Sequence, residues 1–375
     1  MALNQVGLER LNTATTKKIG KNKNIIINGA MQVAQRGISS TTSGYGSVDR
    51  WNNFHNGTNE APEQRQANLG SGDTGPYEQG FRKALKITNG NQTGGAGAGD
   101  YIAMQHNIEA QNLATSGWNY TSASSFVTLQ FWIKSSVAQS FKGYLRTTDG
   151  TKQVYPFDTG SLSADTWTKI TKTVPGNSNI QIDNDNGGGF QVNIVAFWGT
   201  DGTASSVTEN AWQAYSDSTR MKDNTSTWYT TNDATLEITG VQLETGSVAT
   251  DFEHKSFGED LQLCSRYYQK QLSGTMKAVA SAFAYNTTYG NFSPHYPMGP
   301  MRTAPSLDQT NGDNYYEING GLDHGDHLDG AFVIEHGTET TCNIYFDPDA
   351  ALNNGYGFYV RSDNASAYLA YSAEL

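Results

Sequence analysis

Five aromatic residues, Trp118, Tyr120, Trp212, Tyr215 and Trp228, stand in stretches rich in Ser, Thr, Asn and Gly, the composition of loops. An exposed Trp or Tyr ring stacks on the C–H face of a pyranose while neighbouring Asn, Asp and Gln bond its hydroxyls. Buried, the same ring is core packing, the commoner fate of Trp. Both readings stay open for each ring. The run QIDNDNGGGF offers Asp183, Asp185 and Asn186 as an oxygen-rich loop. An EF-hand needs a closing Glu at its twelfth position, and counting from Asp183 that position holds Ile194, so the choice is between a structural calcium and a solvated Asx-type turn. GLDHGDHLDG places His324 and His327 among Asp323, Asp326 and Asp329, a set that can ligate a metal where copies meet on an axis. No second ligand pair at zinc-like spacing stands elsewhere, and the glycine-bounded segment also reads as an exposed loop, so no metal and no cofactor are assigned. GGAGAGD, Gly94 to Asp100, lacks the strand-then-helix setting of a phosphate-cradling loop. No nucleophile elbow is present, and no two carboxylates are marked for separated pKa values. The chain reads as a non-enzyme.

The elements that position these residues follow from composition. The 375 residues suit two domains. Forty Gly, twenty Tyr and seven Trp, with abundant Thr, Ser and Asn and almost no long helical pattern, describe short strands and tight turns, hence an all-β fold. Twenty-five Lys and Arg against 36 Asp and Glu give a net charge of -11, which argues against nucleic acid. The charge is uneven. Residues 1–24 hold five cations against Glu9, a basic arm for assembly or docking, whereas residues 273–375 hold twelve acids against Lys277, Arg302 and Arg361. No apolar signal segment opens the chain and no window nears eighteen apolar residues, so folding in a cytosol without membrane insertion is expected. Cys264 and Cys342 do not form a disulfide framework.

Strand periodicity is plainest in FVTLQFWIKS, Phe126 to Ser135, whose bulky residues on both faces demand cover on both sides. WTKITKTVPG alternates and ends in Pro-Gly, and GFQVNIVAFWG puts Phe190, Val192, Ile194, Ala196 and Trp198 on one face. NIIINGAMQVAQRG, Asn24 to Gly37, reads as a first strand and turn, and YGSVDRW leads into the next. Leu236 and Ile238 set one face, Gly240 interrupts, and Val241 and Leu243 resume out of phase, the mark of a bulge. These strands predict a jelly-roll-like sandwich over residues 25–254. Ser256-Phe257-Gly258-Glu259 matches a capping box, and Phe257, Leu261, Cys264 and Tyr268 form one apolar stripe of a helix ending at Lys270. A helix of about fourteen residues is marginal alone, so the stripe is expected at a domain or subunit interface within a helical junction over 255–274. Residues 275–375 read as a smaller C-terminal β-domain whose closing strands form a pair turned at Ser362-Asp363-Asn364.

Three stretches taken together resemble a known family: NIIINGAMQVAQRG with VDRW, ITGVQLETGSVATDFEHKSFGEDLQLCSRYYQK, and PMGPMRTAPS with the terminal YLAYSAEL. They are similar to phage tail-fibre and receptor-binding proteins of marine and cyanobacterial phages, in which a carbohydrate-binding-module-like sandwich precedes a short helix and a small β-domain. The resemblance implies a virion protein made in the host cytoplasm, a homotrimer that attaches to a host surface glycan and meets other tail or capsid proteins through its N-terminal arm. Two other roles remain open: a capsid or tail decoration or adaptor subunit without receptor binding, and a polysaccharide depolymerase. Because a host envelope is negative like the last block, attachment is expected to need divalent cations or high salt.

Overall fold

The computed structural model describes residues 23–320 and 325–375. Residues 1–22 of the basic arm, and Asp323 and His324 of the candidate metal loop, lie outside the described residues. The fold is all-β, and the chain divides into two units, Met1–Asp260 with Leu375, and Leu261–Glu374.

The first unit contains β1 (Ser39–Ser40), β2 (Trp51–Asn56), β3 (Glu63–Asn68), β4 (Lys83–Thr88), β5 (Tyr101–Glu109), β6 (Phe126–Ser135), β7 (Ser140–Thr147), β8 (Gln153–Ser161), β9 (Thr168–Pro175), β10 (Gly188–Trp198), β11 (Gln213–Ala214) and β12 (Thr235–Thr245), with helices α1 (Ala110–Ala114) and α2 (Thr227–Thr230). Two six-stranded sheets, β1-β3-β4-β12-β6-β9 and β11-β8-β7-β10-β5-β2, face each other as a sandwich. Their inner positions meet in one core, with Leu85, Leu129, Phe131, Ile133, Leu236 and Ile238 from one sheet and Met104, Leu145, Phe157, Phe190, Val192 and Ile194 from the other. Each such side chain contributes about 1.5–3 kcal/mol by leaving water.

β6 is an inner strand between β12 and β9, as its two-sided pattern requires. Its outward Thr128 and Gln130 are buried too. Thr128 donates to the Gly246 carbonyl at 2.8 Å and Gln130 Nε2 to the Thr250 carbonyl at 2.6 Å, so the chain after β12 folds back as the cover. The bulge expected in β12 is present, with a register shift between Thr239 and Gln242. Gly240 there has φ +61°, and a Cβ added to it would lie 2.7 Å from the Phe81 ring. Only glycine meets both demands without strain.

Asn24 to Gly37 is not a strand but an irregular plug. Asn28 and Met31 adopt φ 57° and 59°. The Asn28 side chain donates to the Val33 and Asp49 carbonyls, both at 2.9 Å, and accepts from the Val33 amide at 3.1 Å. An Asn that closes its own turn in this way competes with ladder pairing. Ile26, Met31 and Val33 are nonetheless buried, so the hydrophobic signal was real and its geometry different.

The second unit holds β13 (Tyr268–Ser273), β14 (Ala278–Ala284), β15 (Gly290–Phe292), β16 (Ser306–Gln309), β17 (Tyr316–Asn319), β18 (Asp326–His327), β19 (Val333–Glu335), β20 (Asn343–Phe346), β21 (Gly357–Ser362) and β22 (Tyr368–Ser372). They form a three-stranded sheet, β13-β22-β16, and a seven-stranded sheet, β18-β17-β21-β14-β15-β20-β19. Phe292, Met301, Tyr316, Phe332, Phe346, Leu369 and Tyr371 make its core. The closing strands are not a hairpin: β21 pairs with β14 and β17, and β22 with β13 and β16. Asn364 turns the chain between sheets, accepting from the Ser366 amide at 2.9 Å through Oδ1 and from the Ala367 amide at 2.9 Å through its carbonyl.

The helix α3 spans Phe257–Ser265. Its capping box is formed, with Glu259 Oε2 accepting from the Ser256 amide at 2.8 Å and Ser256 Oγ accepting from the Glu259 amide at 3.3 Å. The C-terminal end differs from the sequence pattern. A tight turn from the Tyr267 amide to the Cys264 carbonyl, 2.9 Å, ends the helix, and Tyr268 starts β13 opposite Ser372. Tyr and Gln in this run favour a strand once β22 offers an edge. Of the predicted stripe, Cys264 and Tyr268 are buried, Leu261 is half-buried, and Phe257 is 55% exposed. Both cysteines are buried, and they are not joined in a disulfide. Among the described residues no helix is long and apolar enough to cross a membrane.

Candidate functional site: the outer face of the second sheet

The five aromatic candidates separate into three groups. Trp228 on α2 is fully buried, its indole N–H donating to the Thr235 carbonyl at 3.0 Å. Trp118 is 3% exposed and donates to the Ser125 carbonyl at 3.3 Å. Neither offers a ring face to a sugar; polar loops surround them in sequence, but the rings turn inward because they carry the largest apolar surface. Trp118, half-buried Tyr120 and half-buried Trp212 gather at one end of the core, Trp118 6.2 Å from Tyr120 and 6.1 Å from Phe190, and Trp212 6.4 Å from Phe190 between centroids. Tyr215 stands apart, on the outer face of the sheet β11-β8-β7-β10-β5-β2.

That outer face is set by register. In antiparallel pairs, residues directly opposite point the same way. Asn52 of β2 is opposite Gln105 of β5, which is opposite Asn193 of β10, which is opposite Tyr144 of β7. One step along, Asn107 faces Gln191, Gln191 faces Arg146, Arg146 faces Val154, and Val154 faces Gln213 of the edge strand β11. Two adjacent rows of amides and one guanidinium therefore cross the sheet. Gln105 Nε2 donates to Asn193 Oδ1 at 3.0 Å. Around that bond, Asn52 Oδ1, Gln191 Oε1, Asn193 Nδ2 and Arg146 Nε are buried atoms with no hydrogen-bond partner. Each unpaired buried polar atom costs about 1–3 kcal/mol, and four in neighbouring positions form a concentrated set of donors and acceptors.

A bulge supplies the aromatic side of this face. β10 shifts register between Val195 and Phe197, so Phe197 joins the core and Trp198 turns outward, against the single-face pattern of GFQVNIVAFWG. Trp198 then stacks on Tyr101 with centroids 4.4 Å apart, and the Arg220 guanidinium sits over its ring, 3.9 Å from the centroid. Arg146 lies 3.9 Å over the Tyr215 ring. Tyr215 donates to Asp217 Oδ1 at 2.6 Å, and burial with that bond pushes its phenol up to about 12. Tyr144, beneath this group, is fully buried, and burial raises its phenol. The rings and cations form an alternating stack that fixes the polar rows from one side. At the β11 edge a groove of about 460 Å³ opens between Gln213, Gln153, Asn179, Gln181, Thr151 and the Trp212 ring. Trp212 is held there by its N–H donating to the Pro175 carbonyl at 2.7 Å.

The acidic loop beside the groove is braced by its own backbone. The Asp183 amide donates to Asp149 Oδ2 at 2.9 Å and the Gly187 amide to Asp185 Oδ1 at 2.9 Å. The second of these bonds is an Asx-turn, and the first ties the loop to Asp149. Burial, with Asp183 and Asp185 close by, pushes the Asp149 carboxyl up. Among the described residues, Glu317, His327 and Asp363 do converge, their ligand atoms within 4.8 Å of one another. Arg361 already donates to Glu317, and His327 Nε2 pairs with Asp363 Oδ2 at 3.2 Å, so the charges are met by protein groups. Gly94 to Asp100 forms turns in which the Gly97 amide donates to Asp100 Oδ2 at 2.7 Å.

No family model matches the chain, and no curated protein matches it. Solved structures similar to part of it include the enzymatically active domain of tailspike protein 4 of bacteriophage CBA120, with TM-score 0.32 and 11% identity over 60% of this chain and 22% of that one. A CBM4 structure overlaps at TM-score 0.31 and 12% identity, over 59% of this chain and 99% of that one. The N-terminal cellulose-binding domain of Cellulomonas fimi β-1,4-glucanase C overlaps at TM-score 0.28 and 10% identity, over 58% of this chain and 99% of that one. Superpositions this loose transfer no residue and no role.

Proposed function

We propose that this chain is a non-enzymatic attachment subunit of a phage virion, a homotrimer that holds a host surface glycan on the outer face of its second sheet. The single observation that carries the glycan reading is the set of four unpartnered atoms, on Asn52, Gln191, Asn193 and Arg146, in adjacent register positions. A row of sugar hydroxyls is at once donor and acceptor and matches such a mixed set, whereas an anion would match only donors. The terminal torsions of Asn and Gln are broad, so half-buried Asn52 and Gln191 present their free oxygens without a backbone move. The virion and trimer parts rest on the sequence resemblance. On α3, 55% exposed Phe257 and 36% exposed Leu263 agree with self-association through the helix.

The test is a host-polysaccharide and glycan array followed by calorimetric titration of the best ligand, with and without divalent cations, on wild type and Gln191→Ala, whose half-buried side chain carries one of the free oxygens. Loss of one hydrogen bond of about 1.4 kcal/mol predicts a tenfold weaker Kd. Silence across the array moves the chain to a decoration or adaptor subunit, and reducing-end release moves it to a depolymerase. Sedimentation of wild type and Phe257→Glu tests the trimer; a wild-type monomer refutes it.

A further inference from the structure

We infer that the C-terminal unit carries a second saccharide site, selective for neutral pyranosides, in the groove between Tyr285, Tyr289, Asn291, Glu335, Asn343 and Tyr345. The groove encloses about 520 Å³, the size of a small-ligand site. It lies on the face of the seven-stranded sheet opposite its core. Register places Phe283 of β14 beside Asn291 of β15, Asn291 beside Tyr345 of β20, and Tyr345 beside Val333 of β19. Glu335 and Asn343 form the next cross-strand pair. Aromatic and apolar surface is open along this line: Tyr285 is 66% exposed, Phe283 49%, Tyr289 41% and Val333 41%.

Three features distinguish this from a merely greasy patch. The rings are fixed: Tyr289 meets Tyr345 edge-on at 5.8 Å, and the turn that carries Tyr285 and Tyr289 is closed by the Tyr285 amide on the Tyr289 carbonyl, 2.9 Å, and by Asn286 Oδ1 accepting from the Thr288 and Tyr289 amides, both 2.7 Å. Pre-fixed rings lose little entropy when a sugar stacks on them. At the floor, Asn291 Oδ1 is buried without a partner, an acceptor waiting for a hydroxyl. Beside it Glu335 is exposed, next to His336 of the same lining and with no Lys or Arg among the lining residues, and carboxylates accept two hydroxyls at once.

Charge selects the sugar. Residues 273–375 hold twelve acids against three cations. Of those cations Arg361 is taken by Glu317, Arg302 donates to the Ala373 and Glu374 carbonyls, and Lys277 is not among the residues lining the groove. Uronate or sulfated chains would meet a carboxylate with no guanidinium to answer it. This site rests on its own geometry and needs nothing from the sandwich face.

The experiment titrates the full chain with cellohexaose, xylohexaose, maltohexaose and chitotetraose, and with polygalacturonate oligomers as the anionic probe. Tyr289→Ala and Asn291→Ala are compared with wild type and with Ser256→Ala, which lies in neither saccharide face. At least one neutral probe is expected to bind, with Kd weakened tenfold or more by Tyr289→Ala and Asn291→Ala and unchanged by Ser256→Ala. The melting temperature of Asn291→Ala should hold or rise, because an unpaired acceptor is removed, so lost affinity cannot be assigned to unfolding. The inference is overturned if no neutral probe binds, if both groove variants bind like wild type, if the anionic probe binds more tightly, or if Tyr285→Asp lowers the sedimenting mass, which would make this face a contact between copies.

Discussion

Replacing Lys142 by Met should destabilise the sandwich by an amount that shrinks as pH falls. Lys142 lies on β7 at the outer-face row next to Tyr144 and is 8% exposed. Its ammonium is 2.5 Å from Asp158 Oδ2, on the opposite residue of β8, and 2.6 Å from Glu209 Oε1. Met keeps the apolar stem and removes the charge, leaving two carboxylates facing one another. A fully buried pair broken on one side costs about 3–5 kcal/mol and an exposed pair about 0–1. Here the carboxylates are 23% and 20% exposed, so about 2 kcal/mol is expected. For a unit of this size that is a melting temperature lower by about 4–8 °C at pH 7. Burial works to raise the Asp158 carboxyl, but hydrogen bonds from Lys142 and the Gly160 amide, with the Lys142 charge, hold it below the usual range. A lowered folded pKa contributes stability above the unfolded value of about 3.9 and loses it as pH falls through the folded one. In the variant that contribution is gone and the two carboxylates repel, so protonation relieves it. Calorimetric scans at pH 7 and pH 4.5 should show the gap between the proteins narrowing. An unchanged melting temperature at pH 7, or a gap equal at both pH values, would refute the reasoning.

Three further substitutions test the frame around the site. Gly240→Ala puts a Cβ against Phe81 at a φ that disfavours it and should cost about 1–3 kcal/mol in urea unfolding, where an ordinary exposed Gly→Ala change would stabilise. Ser256→Ala removes the cap of α3; about 1 kcal/mol is expected, read as faster amide hydrogen exchange in residues 257–260 with the sandwich strands unaffected. Trp228→Phe loses the bond to the Thr235 carbonyl and should lower stability by about 1–3 kcal/mol while leaving glycan affinity unchanged; weakened affinity at full occupancy of the folded state would return Trp228 to the site.

The sandwich was legible where hydrophobic period and backbone agreed. β6 and β12 run where FVTLQFWIKS and the stretch around Leu236 place them, down to the Gly240 bulge, because alternation and a lone glycine each have one cheap backbone solution. What failed was local geometry that depends on a distant partner. Tyr268 leaves the helix for the edge of β22, and β21 and β22 join different sheets although a turn sequence lies between them. Polar neighbours in sequence place an aromatic ring near a loop without saying which way it points. Trp118 and Trp228 point inward and Tyr215 outward.

The residues that best fit a ligand were visible in another form. β5 and β10 place Gln105, Asn107, Gln191 and Asn193 at the positions alternating with their core residues, where a merely solvated strand would carry Lys, Glu or Thr. Amides at those positions are poor strand formers and gain little from water contact, so their repetition on two strands that prove to be neighbours is a signal of side chains kept for bonding. The bulge at Val195 to Phe197 then explains why one strand supplies both halves of the face. Upstream of it the outward positions are amides; past it the phase slips and Trp198, which unbroken alternation would bury, swings out to stack on Tyr101. Ala196 is the extra residue: without it Val195, Phe197 and Trp198 would still stand opposite Ala103, Ile102 and Tyr101, so the insertion of this one residue is what sets Phe197 inward and Trp198 outward. Trp198 is only 6% exposed there and packs with Ala103, Tyr144, Val154, Val195 and Met221, so the bulge moves a large ring from one packed layer to another, and the reading of this face as a binding surface rests on the unpartnered amide and guanidinium atoms beside it.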